Sequence, residues 1–145
     1  MKGNKDIRLL LSLAPQTLTA DADGTTVKGD AIGRLGFEEA LVDLRHGAVE
    51  AGATLAVKVQ EADTEADADF KDIEHAAFAD VAGGAEVLQG IHVGRLNLVG
   101  RKAYLRVVAT VTGDAKTAVV SCGMTLHQAR ELPVSQVNPL AFDVS

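Results

Sequence analysis

Apolar residues alternate with mostly polar ones along two segments in the second half of the chain, and this period of two constrains the fold more than any other feature. The segments span 104–112 and 119–127. A period of two is typical of a β-strand with one buried face. A turn sequence, Thr112-Gly113-Asp114-Ala115-Lys116, separates them, so we predict a β-hairpin. The side chains predicted to face the core are Leu105, Val107, Ala109 and Val111, then Val120, Cys122, Met124 and Leu126.

The first half of the chain repeats this pattern. Segment 53–60 places Leu55, Val57 and Val59 on one face, and segment 39–45 is predicted to pair with it after a reversal over 46–52. Weaker strand candidates are 7–13, 25–28 and 91–98. Short strands between Gly- and Asp-containing turns, without a regular βαβ alternation, predict an all-β fold, an antiparallel jelly-roll-like β-sandwich.

At most one short helix is expected in this sandwich. Between Phe70 and Val81 the apolar residues are roughly helically spaced rather than alternating. The residues on which this prediction depends are Phe70, Ile73, Ala77, Phe78 and Val81.

The length of 145 residues is that of one domain, and no internal repeat or linker divides it. We therefore predict a single sandwich over 1–145, with a polar N-terminal lead (1–6) and an extended C-terminal tail (130–145). Pro133 and Pro139 exclude a regular helix from the tail, and its apolar residues need something to pack against. Two interpretations stay open, a strap on the protein's own sheet and an arm that adds to a neighbouring subunit.

Composition excludes several classes of partner. The net charge of −6 opposes binding to nucleic acid. An aromatic content of 3% leaves few platforms for stacking sugars or bases. The apolar run 7–14 is too short to cross a bilayer, so no membrane partner is expected. A single cysteine cannot form an internal disulfide, which favours a protein made in a reducing cytoplasm.

No catalytic or cofactor-binding motif is complete. Ser121-Cys122-Gly123 has Val119 where a nucleophile elbow needs its first glycine, and Cys122 is in phase with core residues. The four histidines are not spaced as metal ligands or as part of a triad. The sequence therefore predicts a protein that is not an enzyme and that uses no cofactor and no metal.

Eight acidic residues lie between Glu61 and Asp80, against one lysine, Lys71. Their spacing from Asp63 partly imitates an EF-hand loop, but Ala68 stands where that loop needs glycine for its sharp turn. A solvated acidic loop between two strands is the favoured interpretation over a calcium site. A hydrolase built on these residues would depend on the number of carboxylates alone.

A basic group contrasts with the acidic stretch. It consists of Arg95, Arg101, Lys102 and Arg106, and no acidic residue lies between Ile91 and Arg106. Opposed charges on one small protein suit docking to a charged protein surface. The alternative is that each basic side chain flanks a strand and points into water.

Several segments, taken in order over roughly 36–133, form a combination with a known counterpart. The most specific of them is the motif Gly100-Arg101-Lys102-Ala103-Tyr104-Leu105-Arg106. The others are Gly36-Phe37-Glu38, Val57-Lys58-Val59-Gln60-Glu61-Ala62-Asp63, Phe70-Lys71-Asp72-Ile73 and Ala129-Arg130-Glu131-Leu132-Pro133. Together they resemble a family of small virion proteins of tailed bacteriophages, whose members include capsid cement or decoration proteins.

The resemblance implies a non-enzymatic structural protein on the exterior of a virion, where it would bind the major capsid protein and stabilise the shell. It also implies a homo-oligomer over a capsid axis, a dimer or a trimer, with the dimer favoured. A tail or neck component, or a sandwich-type module that binds carbohydrate or a host surface, remain alternatives. The residues expected to contact the partner are Arg95, Arg101, Lys102 and Arg106 through charge, and Leu140 and Phe142 as an apolar arm.

Overall fold

A computed structural model describes residues 7–85 and 87–129. Ten β-strands and one 3-10 turn, Asp67–Asp69, make up the regular structure of this part of the chain. The strands are β1 (Arg8–Thr19), β2 (Thr25–Lys28), β3 (Ile32–Gly33), β4 (Phe37–Val49), β5 (Thr54–Ala62), β6 (Lys71–Ala77), β7 (Val81–Ala82), β8 (Gly90–Asn97), β9 (Tyr104–Thr112) and β10 (Thr117–Ala129).

The strands form two antiparallel sheets. One has four strands in the order β1-β10-β4-β8. The other has six, in the order β2-β9-β5-β6, with β3 also paired to β9 and β7 to β5. Two sheets whose apolar faces pack on each other form a β-sandwich, so the prediction of an all-β antiparallel sandwich is confirmed.

The core lies between the sheets and is almost entirely aliphatic. The side chains predicted to face inward on β5, β9 and β10 are buried there, and Cys122 is among them. Phe37 supplies the largest fully buried side chain at the start of β4. Alternation therefore identified the core-facing side chains of β5, β9 and β10 correctly.

Both predicted hairpins are wrong in their pairing. β9 and β10 follow each other in the chain but lie in different sheets, and the same is true of β4 and β5. The turn 113–116 carries the chain across the sandwich, and the Ala115 N–H donates to the Ala20 carbonyl there. Alternation shows which side chains of a strand are buried, but it does not show which strand is the hydrogen-bonded neighbour. Consecutive strands in opposite sheets bury their apolar faces against each other across the core, whereas the same strands side by side in one sheet would still need a second layer.

The helix expected between Phe70 and Val81 is also wrong, because β6 and β7 occupy this stretch. Ile73 is buried among the core residues. The pairing of β6 with β5 shifts register between Lys58 and Gln60, and His75 has a φ of 65°. This irregularity breaks the period of two, so the apolar residues take a spacing that imitates a helix.

The predicted N-terminal lead and C-terminal tail lie outside the described residues. Leu140 and Phe142 belong to that tail, and their expected role in an arm remains a prediction.

Candidate protein-interaction surface

The acidic stretch and most of the basic group meet at one corner of the six-stranded sheet. β5 ends beside the start of β9, with Glu61 opposite Leu105 and Ala62 opposite Tyr104. The end of β5 and the loop after it carry the acids, and the approach to β9 and its first residues carry the bases, so the antiparallel register brings them together. We call the resulting set the charged corner. Its members are Glu61, Asp63, Asp67, Arg101, Lys102 and Arg106.

Ion pairs within the chain bind all three bases of the charged corner. Arg101 Nη1 lies 3.3 Å from Glu61 Oε1, and Lys102 Nζ lies 3.3 Å from Asp63 Oδ2. The shortest pair joins Arg106 Nη1 to Asp67 Oδ1 at 2.6 Å. The basic charges of this corner are therefore satisfied within the molecule, by acidic residues of the same chain, rather than presented as a separate patch.

Arg106 is the most enclosed of these bases, with 6% of its surface exposed. Its Nε donates to Gln60 Oε1 at 2.9 Å, and its guanidinium lies 4.0 Å from the centre of the Phe70 ring. Burial of a guanidinium is costly unless its donors are bonded; the Gln60 bond and the Asp67 pair each bond one donor of Arg106, and the ring covers one face. This burial argues against a direct partner contact by Arg106.

Two carboxylates of the acidic stretch have lowered pKa values. The hydrogen bond from Lys28 is the main cause for Asp67, and the bond from Arg106 follows. Hydrogen bonds from Gln60 and then Lys58 lower the pKa of Asp72. Both groups are therefore held in the charged form by donors of neighbouring strands.

A buried arginine that the sequence did not single out holds the turn 98–102. Arg34 Nε donates to the Lys102 carbonyl at 2.9 Å, and its Nη2 donates to the Arg101 carbonyl. On the other side, the Glu61 carboxylate accepts the Lys102 backbone N–H at 3.1 Å. Arg34 lies in a loop outside any periodic segment, so no signal in the sequence could have identified it.

Arg95 lies apart from the other bases, because it belongs to β8 in the four-stranded sheet. Its Nε is 2.8 Å from Glu39 Oε1, and 74% of its side chain is exposed. The structure thus brings together Arg101, Lys102 and Arg106 and places Arg95 elsewhere. Arg101 and Lys102 are partly exposed, so a partner contact by these two and by Arg95 stays a prediction.

The outer surface of β1 and β10 carries exposed leucines beside small residues, with the Asp43–Arg45 ion pair of β4 next to it, and the basic group did not indicate this surface. Leu9 lies opposite Thr125 and Leu11 opposite Gly123, so these four share one face. Leu9 and Leu11 are exposed, and a recess lies between them and the small residues of β10. We call this surface the docking face. Its members are Leu9, Leu11, Ser121, Gly123 and Thr125.

Catalytic chemistry finds little support among the described residues. In 7–85 and 87–129 no group of three or more His, Cys, Asp or Glu side chains is arranged to hold a metal ion. Burial, and then the charge of Asp43, raise the pKa of Cys122 to about 12, so this thiol is not a nucleophile at neutral pH.

Over the same residues no helix is long and apolar enough to cross a bilayer.

Comparison with known proteins identifies a fold rather than a family. No protein-family model and no curated protein matches the sequence. Among solved structures, the chain is similar to one in the VP2 subviral particle of infectious bursal disease virus, with a TM-score of 0.61 and 9% identity over 86% of this chain. A chain in the structure of the Gx strain of that virus gives a TM-score of 0.60 and 11% identity over 88%.

Both similarities cover only part of the viral chains. This chain spans 32% of the first and 33% of the second, about a third of their length. At this identity the likeness establishes a shared β-sandwich fold and nothing about what the chain binds.

Proposed function

We propose that the protein is a non-enzymatic structural component of a virus particle, a cement or decoration protein of a tailed bacteriophage. In this role it binds the outer surface of the shell formed by the major capsid protein and stabilises it. The fold shared with chains of a virus and of its subviral particle supports the proposal. The resemblance of segment 36–133 to small phage head proteins supports the more specific role.

The observation that carries the proposal is the docking face, where two exposed leucines of β1 lie beside small residues of β10. Half of the Leu11 surface is accessible, at 51%. Exposed leucines that share one sheet face with small residues suit contact with another protein. A shell offers many equivalent sites, so one moderate contact per copy is enough to add up to a stable coat.

Charge would then orient the contact. Arg95, Arg101 and Lys102 keep part of their charged groups exposed beside their internal partners. We assign to them a secondary electrostatic contact with an acidic surface of the capsid subunit. Leu140 and Phe142 are the proposed apolar arm contact.

Binding to shells assembled without the protein tests this function. The purified protein should co-sediment with such shells and raise the temperature at which they break. Leu11→Glu places a charge in the docking face and should weaken binding about tenfold or more, the equivalent of about 1.4 kcal/mol. Leu35→Glu, at an exposed leucine between β3 and β4, is the matched control and should bind normally.

Two results would count against the proposal. If the unmodified protein does not bind shells, the cement function is wrong. If Leu11→Glu and Leu35→Glu bind equally well, the docking face is assigned to the wrong surface. Electron microscopy of particles that carry a labelled copy separates the shell from the tail and neck, because label confined to the tail would support the alternative structural role.

A further inference from the structure

The outer edge of β8 is a long, regular strand edge that pairs with none of the other described strands. Its pairing with β4 runs without a register shift from Asn97, opposite Glu39, to Gly90, opposite His46. Proteins usually protect such edges, because unpaired N–H and C=O groups are a template for another strand.

The other sheet edges of the described chain carry this protection. β1 contains Pro15 and two register shifts. β6 contains a register shift and several charged residues, and β2 is only four residues long. Bulges, prolines, charges and short length are the usual devices that prevent edge pairing.

β8 has none of these devices apart from one charge. Ile91 is 70% exposed and Val93 is 62% exposed on its outer face. The one charged residue of the strand, Arg95, is paired with Glu39 of the neighbouring strand. The outer face of this edge is therefore apolar at Ile91 and Val93, and its one charge is balanced by an ion pair.

The backbone of β8 has a definite set of groups directed at this edge. The Leu98 N–H donates to the Glu38 carbonyl at 2.9 Å, which extends the ladder between β4 and β8 by one residue pair. Hydrogen-bonded and non-hydrogen-bonded pairs alternate in an antiparallel ladder. Ile91, Val93 and Arg95 therefore direct their N–H and C=O groups away from β4, toward the free edge.

We propose that a second copy of this chain pairs with this edge, β8 to β8, antiparallel about a two-fold axis at Val93. This register matches Val93 with Val93 and Ile91 with Arg95 of the other copy. About six backbone hydrogen bonds form across the axis, because each matched pair exchanges two. The two four-stranded sheets then become one continuous sheet.

The sequence of β8 is complementary to itself in this register. On the outer face the register brings the two exposed Val93 side chains together at the axis, and it places Ile91 opposite the Arg95 of the other copy, whose charge is already paired with Glu39. A register centred on Arg95 would instead place two like charges opposite each other, which destabilises a strand pair. This self-complementarity is the reason for choosing a second copy as the occupant.

Single cysteines test the register directly in the full-length chain. In Val93→Cys the two Cα atoms lie about 5.5 Å apart, within the range of a disulfide, so mild oxidation should give a covalent dimer. In Ile91→Cys the two sites are about 14 Å apart along the strands and should not crosslink. A mixture of Ile91→Cys and Arg95→Cys should crosslink between the two variants.

Charge substitutions test the association without a covalent bond. Val93→Lys and Val93→Glu should each be monomeric by size-exclusion chromatography with light scattering, because like charges meet at the axis. An equimolar mixture should recover a heterodimer, detected by native mass spectrometry. Leu11→Lys, at an exposed leucine of the opposite edge strand, is the control and should stay dimeric. Circular dichroism verifies that each variant is folded.

The proposal is overturned if the unmodified protein is a monomer at micromolar concentration. It is also overturned if Val93→Lys remains a dimer, or if Ile91→Cys crosslinks as readily as Val93→Cys. It does not depend on the proposed function, since Leu11→Glu addresses binding to shells and the Val93 variants address self-association.

Discussion

Arg106 Nη1 lies 2.6 Å from Oδ1 of Asp67, so the side chain expected to reach a partner binds the acidic loop of its own chain. The contact closes the loop after β5 over the outer side of β9 and brings Phe70 under the guanidinium. As a result the charged corner stabilises the sandwich, and we assign contacts with other proteins to the docking face and to the β8 edge.

Replacing Arg106 should destabilise the fold. Arg106→Ala removes two charge-assisted hydrogen bonds and uncovers the Phe70 ring, and we expect the free energy of unfolding to fall by about 1.5–3 kcal/mol. Chemical denaturation measures this change. Arg45→Ala, which breaks the exposed pair with Asp43, is the comparison and should cost no more than about 1 kcal/mol. Equal effects would show that burial of Arg106 contributes nothing.

The stability of the protein should decrease at acidic pH. Asp67 and Asp72 have pKa values below the ordinary value of 3.8 in the folded chain, so the unfolded chain binds more protons in this range. Their contribution is present above that value and is lost as the pH falls through the folded pKa values. Denaturation midpoints should therefore decline below about pH 4, and Asp67→Asn should make the decline shallower. An unchanged decline would exclude Asp67 as a source.

The sequence was sufficient to predict β5, β9 and β10 and their core-facing side chains, because burial of one face of a strand produces an alternation of apolar and polar residues. Leu105 and Val120 show this, since each is buried as its phase predicts. The alternation does not determine which strand pairs with which by hydrogen bonds. That depends on the crossing of the chain at 113–116, where β9 and β10 separate into different sheets.

The candidate surface was predicted only in part. Arg106 is out of phase with the core residues of β9, and alternation alone places it in solvent. It is buried because the loop that carries Phe70 and Asp67 folds back over that side, a contact across 39 residues of sequence that no local pattern reports. Arg95 was grouped with the other bases by sequence proximity, although β8 and β9 belong to different sheets.

Ser12 should be a structural link between the two sheets. Its Oγ accepts the Val107 N–H at 3.0 Å and donates to the Asp30 carbonyl at 3.1 Å, so a residue of β1 binds one of β9. Ser12→Ala leaves the Val107 N–H buried without this partner, which should lower the free energy of unfolding by about 1–3 kcal/mol. Thermal unfolding measures the loss. Ser121→Ala, at a serine of the docking face, should have a smaller effect, and the reverse order would contradict the assigned role.

Cys122 should resist thiol reagents as long as the sandwich is folded. Its side chain is fully buried and its pKa is raised to about 12, so at pH 8 the reactive thiolate is both scarce and inaccessible. A colorimetric thiol assay should give no reaction in buffer and one thiol per chain in denaturant. Because unfolding must precede labelling, the labelling rate should increase in Ser12→Ala in proportion to the population that opens. Rapid labelling of the unmodified protein in buffer would show that the thiol of Cys122 is accessible to solvent. The burial of this side chain between the two sheets would then be wrong.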